Sequence, residues 1–181
     1  VGMVNAALCA QTLINEFSVA AVLNTGIAGS LSPELDIADL VISQDSMYHD
    51  FDCTEFGYPY GQVPRMDTLT FPADEAMMAW AFAAAEAVNP GHAKIGRVAS
   101  GDWFAVKGHR AAWIRDTFHP TLTEMEGGAI AQAAALSGVP FGVIRVISDL
   151  ADGTAPSSFD QFEQETADRS ATIVKRTLAL L

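Results

Sequence analysis

At 181 residues, half of them apolar, the chain is long enough to bury the core of a single domain. Its formal charge is −12 and its ten lysines and arginines are scattered singly, which argues against nucleic acid or any other polyanion as a partner. Two cysteines in unlike surroundings, Cys9 and Cys53, provide neither a disulfide framework nor metal-ligand spacing, and no run approaches the roughly 20 apolar residues of a membrane span.

The first residues carry no basic leader, so a reducing cytoplasm is the expected compartment. Residues 2–17 place Val4, Ala7, Leu8, Leu13 and Ile14 at helical spacing and predict a core-facing helix. Residues 19–26, "VAAVLNTG", read as a buried strand, and "IAGSL" after them as a tight glycine loop. A second strand is expected over residues 38–50. Residues 51–64 follow as a long aromatic loop with neither helical nor strand period. An Ala- and Met-rich helix over residues 74–87 meets the breaker "NPG" and then a strand over residues 93–102.

A helix over residues 107–118 leads to a short strand over residues 121–126, which turns at Gly127 and Gly128 into the helix "AIAQAAAL". "FGVIRVISD", residues 141–149, is the strongest buried-strand signal in the chain. The last helix is expected from near Ser158, which has capping-box spacing to Gln161, with Ile173, Val174, Leu178 and Leu181 on one face. Strands alternating with helices predict an α/β fold: a three-layer sandwich whose central mixed, mostly parallel sheet is flanked by helices. Ligands on such sheets sit beyond the strand ends.

Three of those ends concentrate polar groups: "SGD" at residues 100–102, "EME" at 124–126 and "RVISD" at 145–149. Alternation puts Glu124 and Glu126 on one side of their strand, where a carboxylate can accept both donors of a vicinal diol. Glu126 also suits a plain role at a helix N-terminus. Arg145, in an apolar strand, calls for an anion, either a ligand's or that of Glu124 or Glu126. Asp149 stands where it can act on a ligand or cap the next turn. Phe104 suits either a planar base or the core.

Together, "NTGIAG", "YHDFDCTEFGYPYGQVP", "SGDWF", "EMEGGAIA" and "RVISDLAD" resemble, in order and spacing, the 5′-methylthioadenosine/S-adenosylhomocysteine nucleosidases, over essentially the whole chain. "EMEGGAIA" and "RVISD" occur more widely in the purine nucleoside phosphorylase and uridine phosphorylase superfamily, whereas "YHD" with "FGYPYGQ" is closer to the nucleosidases. The resemblance implies a nucleoside phosphorylase-like fold, a homodimer, no metal or organic cofactor, and hydrolysis of an adenine nucleoside bearing a 5′-thioether. Asp149 is then the general acid at N7 of adenine, supported by Ser148. Glu126 holds the ribose hydroxyls, with Met125 under the sugar and Glu124 nearby, and Arg145 orients the attacking water. Phe104 and the backbone of Ala105 receive the base, Phe159 closes the pocket, and Val1 borders it.

The resemblance also implies that the loop at 51–64 crosses a dimer interface. Phe56, Tyr58 and Pro64 then enter the neighbour's alkylthio pocket, while Cys53 lines the wall from within its own subunit. These roles suit the chemistry, because cleavage of C1′–N9 builds positive charge on the ribose and negative charge on the purine. There are two departures. Nothing aligns with the family's water-activating glutamate, so an N-terminal strand-hairpin segment is expected ahead of Val1, and Ile27 stands where some relatives carry a small hydroxyl residue. The rival readings are a phosphorylase, an aminofutalosine-type nucleosidase and a non-catalytic nucleoside-binding homologue.

Overall fold

The computed structural model describes residues 1–104, 109–151 and 155–179, and the backbone alone of residues 155–166. In chain order the elements are α1 (Met3–Phe17), β1 (Val22–Ser30), β2 (Leu40–Tyr48), a 3-10 turn (Thr54–Phe56), β3 (Phe71–Pro72), α2 (Glu75–Val88), β4 (Ala93–Ser100), α3 (His109–Phe118), β5 (Leu122–Glu124), α4 (Gly127–Leu136), β6 (Phe141–Asp149) and α5 (Ala155–Leu178). The alternation of strands and helices is that of an α/β fold.

The sheet is mixed, in the order β3-β2-β4-β5-β1-β6, and a further pairing of β2 with β6 closes five of its strands into a ring. Parallel pairing joins β1 to β6, β2 to β4 and β4 to β5; antiparallel pairing joins β1 to β5, β2 to β3 and β2 to β6. The antiparallel share has a local cause. The β1–β2 connection contains no helix, and two strands joined that way reverse direction, since a parallel return needs a crossover of about a dozen residues or more.

Every residue of β6 is buried, because β1 covers one edge and β2 the other while both faces meet apolar layers. Val143 and Ile147 join Val41, Val98 and Leu122 on one face. Ile144 and Val146 join Leu40 and Ile42 against Ala81, Ala84 and Ala85 of α2 and Ile173 of α5 on the other. The period-two alternation of β6 therefore gives Arg145 the same side as Val143 and Ile147, inside the closed sheet.

Three expectations are corrected. "IAGSL" is no glycine loop: Ile27 to Ser30 continue β1, paired with β6 through Gly26↔Arg145 and Ile27↔Val146. The reason is steric, since a Cβ on Gly26 would overlap Arg145 Nη1 and one on Gly29 would lie 3.0 Å from Asp149 Oδ1. Helix α1 buries Ala6 and Ala10 against Ala129, Ile130 and Ala133 of α4, while Val4 and Leu8 remain 69% and 62% exposed. Its small residues allow the close approach, and its large ones point outward. Helix α5 starts at Ala155, so Ser158 and Gln161 fall within it; Ile173 is fully buried, whereas Leu178 is exposed and Leu181 lies outside the described residues.

Candidate active site

Parallel β4 and β5 lie in register Ser100↔Glu124, which brings "SGD" and "EME" side by side. Arg145 reaches them from β6 across the gap at Gly26. It is 3% exposed, and its Nη2 donates to Glu124 Oε2 and, at 2.6 Å, to Asn24 Oδ1, with Glu126 Oε2 at 3.6 Å. Arg145, Glu124, Glu126 and Ser100 thus form one cluster, and the anion called for by a buried arginine is internal.

The helix-terminus role belongs to Glu124 and not to Glu126. Glu126 is the N-cap residue of α4 but makes no side-chain cap. Glu124 accepts from the backbone N–H of Gly127 at 3.0 and 2.8 Å and of Glu126 at 3.1 Å, where the positive end of the helix favours a carboxylate. Ser100 Oγ donates to Glu124 Oε1 and accepts from Gly128 N at 2.7 Å. Glu126 is left partly exposed, its Oε1 accepting from Gly2 N at 3.0 Å.

Asp149 stands outside this ion-pair cluster, at the register of Gly29 on β1. It is 4% exposed; Oδ1 accepts from Ala151 N at 2.9 Å and Oδ2 from the Ser148 hydroxyl at 3.0 Å. The bond to Ala151 N is the turn-capping alternative open to Asp149, and Ser148 donates to its other oxygen. Met125 is half-buried, Phe104 is 57% exposed, and Val1 is exposed at the mouth of α1. Cys53, Tyr58 and Pro64 are half-buried and Phe56 is 82% exposed. Ala105 and the side chain of Phe159 lie outside the described residues.

A cavity of about 400 Å³ is walled by Met3, Val4, Ala7, Tyr48, Phe51 and Ala129, with Asp50 and Asp102 as its acidic groups; Glu124, Glu126, Arg145 and Asp149 are not among these lining residues. Asp102 Oδ1 accepts from Met3 N at 2.8 Å, next to the Gly2 amide that Glu126 holds. Met3, which lines the cavity, is thus the chain neighbour of the residue that Glu126 holds.

Two residues went unread in the sequence. Asn24 clamps Arg145, and its only signal was its place two residues before the glycine that admits the guanidinium. His49 is fully buried behind "SGD", with both ring nitrogens lacking a hydrogen-bond partner among the described residues, its ring 5.7 Å from Trp103 and its imidazole where a Cβ on Gly101 would fall. Burial pushes its pKa below the ordinary histidine value, against opposing pulls from Asp50 and Glu124. Tyr48, whose hydroxyl donates to Gln132 at 2.6 Å, has its pKa raised by burial and then by Asp50.

A mixed, self-closing α/β sheet with a buried arginine between the glutamate that ends β5 and the one at the N-cap of α4 is the architecture of a nucleoside phosphorylase-like protein, and residues 1–179 match the model of the Phosphorylase superfamily. The chain is 38% identical over 179 residues to the 5′-methylthioadenosine/S-adenosylhomocysteine nucleosidase of a Marinomonas species, covering 98% of this chain and 77% of that protein. It is 41% identical over 183 residues to the protein so named in Geobacillus thermodenitrificans, covering 100% and 77%. It superimposes on the Neisseria meningitidis nucleosidase in complex with methylthio-immucillin-A with a TM-score of 0.96 at 38% identity, covering 100% of this chain and 78% of that one. The native Helicobacter pylori futalosine hydrolase gives a TM-score of 0.94 at 34% identity, with 100% and 77% covered. The chain belongs to the Phosphorylase superfamily and, within it, to the 5′-methylthioadenosine/S-adenosylhomocysteine nucleosidase family.

Proposed function

We propose that this protein hydrolyses the N-glycosidic bond of 5′-methylthioadenosine and S-adenosylhomocysteine, releasing adenine and the thioribosyl product, as a single-domain homodimer in the cytoplasm. The observation that carries the reading is the buried Arg145–Glu124 pair beside a half-exposed Glu126, in a chain about 40% identical to nucleosidases. Among the described residues, no helix is long and apolar enough to cross a membrane.

Asp149 gives a proton to N7 as the C1′–N9 electron pair moves onto the purine, and Ser148 fixes the carboxyl oxygen that faces away from the base. Glu126 accepts from the ribose 2′ and 3′ hydroxyls, its negative charge stabilising the cationic sugar of the transition state. Arg145 directs the water that adds to C1′. Met125 packs under the sugar, and Phe104 with the Ala105 backbone receives adenine. Phe159 closes the pocket, and Val1 and Cys53 line it. Phe56, Tyr58 and Pro64 come from the neighbouring subunit into the alkylthio pocket, a role that suits an aromatic ring left 82% exposed on its own subunit.

The test is adenine release from 5′-methylthioadenosine by the full-length protein, with and without phosphate. Release independent of phosphate is expected, and an Asp149→Asn variant should lose roughly 100-fold or more in kcat. Phosphate-dependent release would make the protein a phosphorylase, and unchanged turnover in the variant would remove Asp149 as the donor. The close match to futalosine hydrolase favours a second substrate, a futalosine-type nucleoside, which competition assays separate from the first.

A further inference from the structure

We infer that Glu124 is a positioning residue for Arg145 and makes no contact with substrate. The inference rests on the hydrolase reading for what Arg145 does, but its geometry is independent of it. A carboxylate offers about four acceptor positions. Those of Glu124 are taken by Ser100 Oγ, Arg145 Nη2 and the backbone N–H groups of Glu126 and Gly127, two of these bonds coming from the single Gly127 amide. Its side chain is 2% exposed, so no lone pair remains for a ribose hydroxyl. Glu126, whose side chain is 25% exposed, keeps that capacity.

On the other side of Arg145, Asn24 Oδ1 accepts from the same Nη2 at 2.6 Å. One guanidinium nitrogen is therefore held between two elements, β1 and β5. The backbone amides at the start of α4 anchor the glutamate, and Ser100 ties it to β4. Glu124 thus passes the rigidity of the helix terminus to the guanidinium. Its negative charge also compensates the buried guanidinium without drawing Glu126 away from the sugar.

The experiment combines a kinetic cycle with an activity-independent readout. Glu124→Gln can keep an oxygen toward Arg145 and turn its amide toward Ser100, whose hydroxyl can accept. The expected result is a loss of roughly 10- to 100-fold in kcat with little change in KM, the scale of one charged hydrogen bond. In an Arg145→Gln background the same substitution should change kcat by less than about twofold, because sites acting through one another are not additive. Equal losses in both backgrounds, or an effect confined to KM, would overturn the assignment.

Nitrogen-detected NMR of the guanidinium groups serves if the native protein releases no adenine, an outcome that strikes the hydrolase reading alone. Arg145 should show separate Nη signals in the native protein and merged ones in Glu124→Gln. Glu124→Asp, which keeps the charge but is one methylene too short to reach Nη2 from the helix terminus, should give the same merging if the first variant does not fold. Separate Nη signals in the folded variants would end the proposal.

Discussion

His49 shows how one side chain ties stability to pH. Its imidazole is fully buried, and its pKa is held below 6.5 chiefly by loss of water. Above that value the ring is neutral in both folded and unfolded chains and adds no pH dependence. As pH falls through 6.5 the unfolded chain takes up a proton that the folded one resists, so stability drops until the lowered folded pKa is reached. Urea unfolding of the native protein between pH 7.5 and 5.5 should therefore be steeper with pH than that of His49→Asn, by up to about 1.4 kcal/mol per pH unit. Identical slopes for the two proteins would show that the ring is not held neutral. Asp50 and Glu124 are acidic groups that pull the other way on it, and Arg110 lies 4.7 Å above the neighbouring Trp103.

At the scale of elements, β1 and β6 were designed around each other. Gly26 and Gly29 stand three apart on β1, opposite Arg145 and Asp149 on β6, and their missing side chains make the room those two need. Gly26→Ala should destabilise the protein by about 3 kcal/mol or more, because the new methyl must displace a buried guanidinium from its carboxylate. Chemical denaturation measures it, and a change below about 1 kcal/mol would mean that the guanidinium relocates freely. This pairing explains why "IAGSL" misled: glycine reads as a turn in sequence, but here it answers a side chain more than a hundred residues away. The strand β6 and the helix from Asp74, which caps it by accepting from Met77 N, were legible because burial and capping are local signals. Helix α1 was half legible, since its period was right but its buried side was chosen by the alanine surface of α4.

For the whole molecule, the charge of −12 and the exposed apolar side chains pull in different directions: charge keeps copies apart, while Val4, Leu8 and Phe56 leave apolar surface for one to cover. On the homodimer reading, Phe56→Ser should shift the protein toward monomer in sedimentation velocity and raise KM for 5′-methylthioadenosine. An unchanged sedimentation profile together with unchanged KM would place Phe56 outside any shared site. Taken alone, the order of residues determined the α/β alternation, the buried strand at its centre and the three polar strand ends, because hydrophobic period and turn chemistry act over a few neighbours. It also carried the family motifs. Only the tertiary structure decided that the sheet closes through β2 and β6, that Glu124 caps the helix while Glu126 stays open, and that Asn24 holds Arg145. Each of these depends on which groups meet across the sheet, and burial makes an unmet charge or amide too costly to leave, so the partner is selected in space and leaves no local mark in the chain.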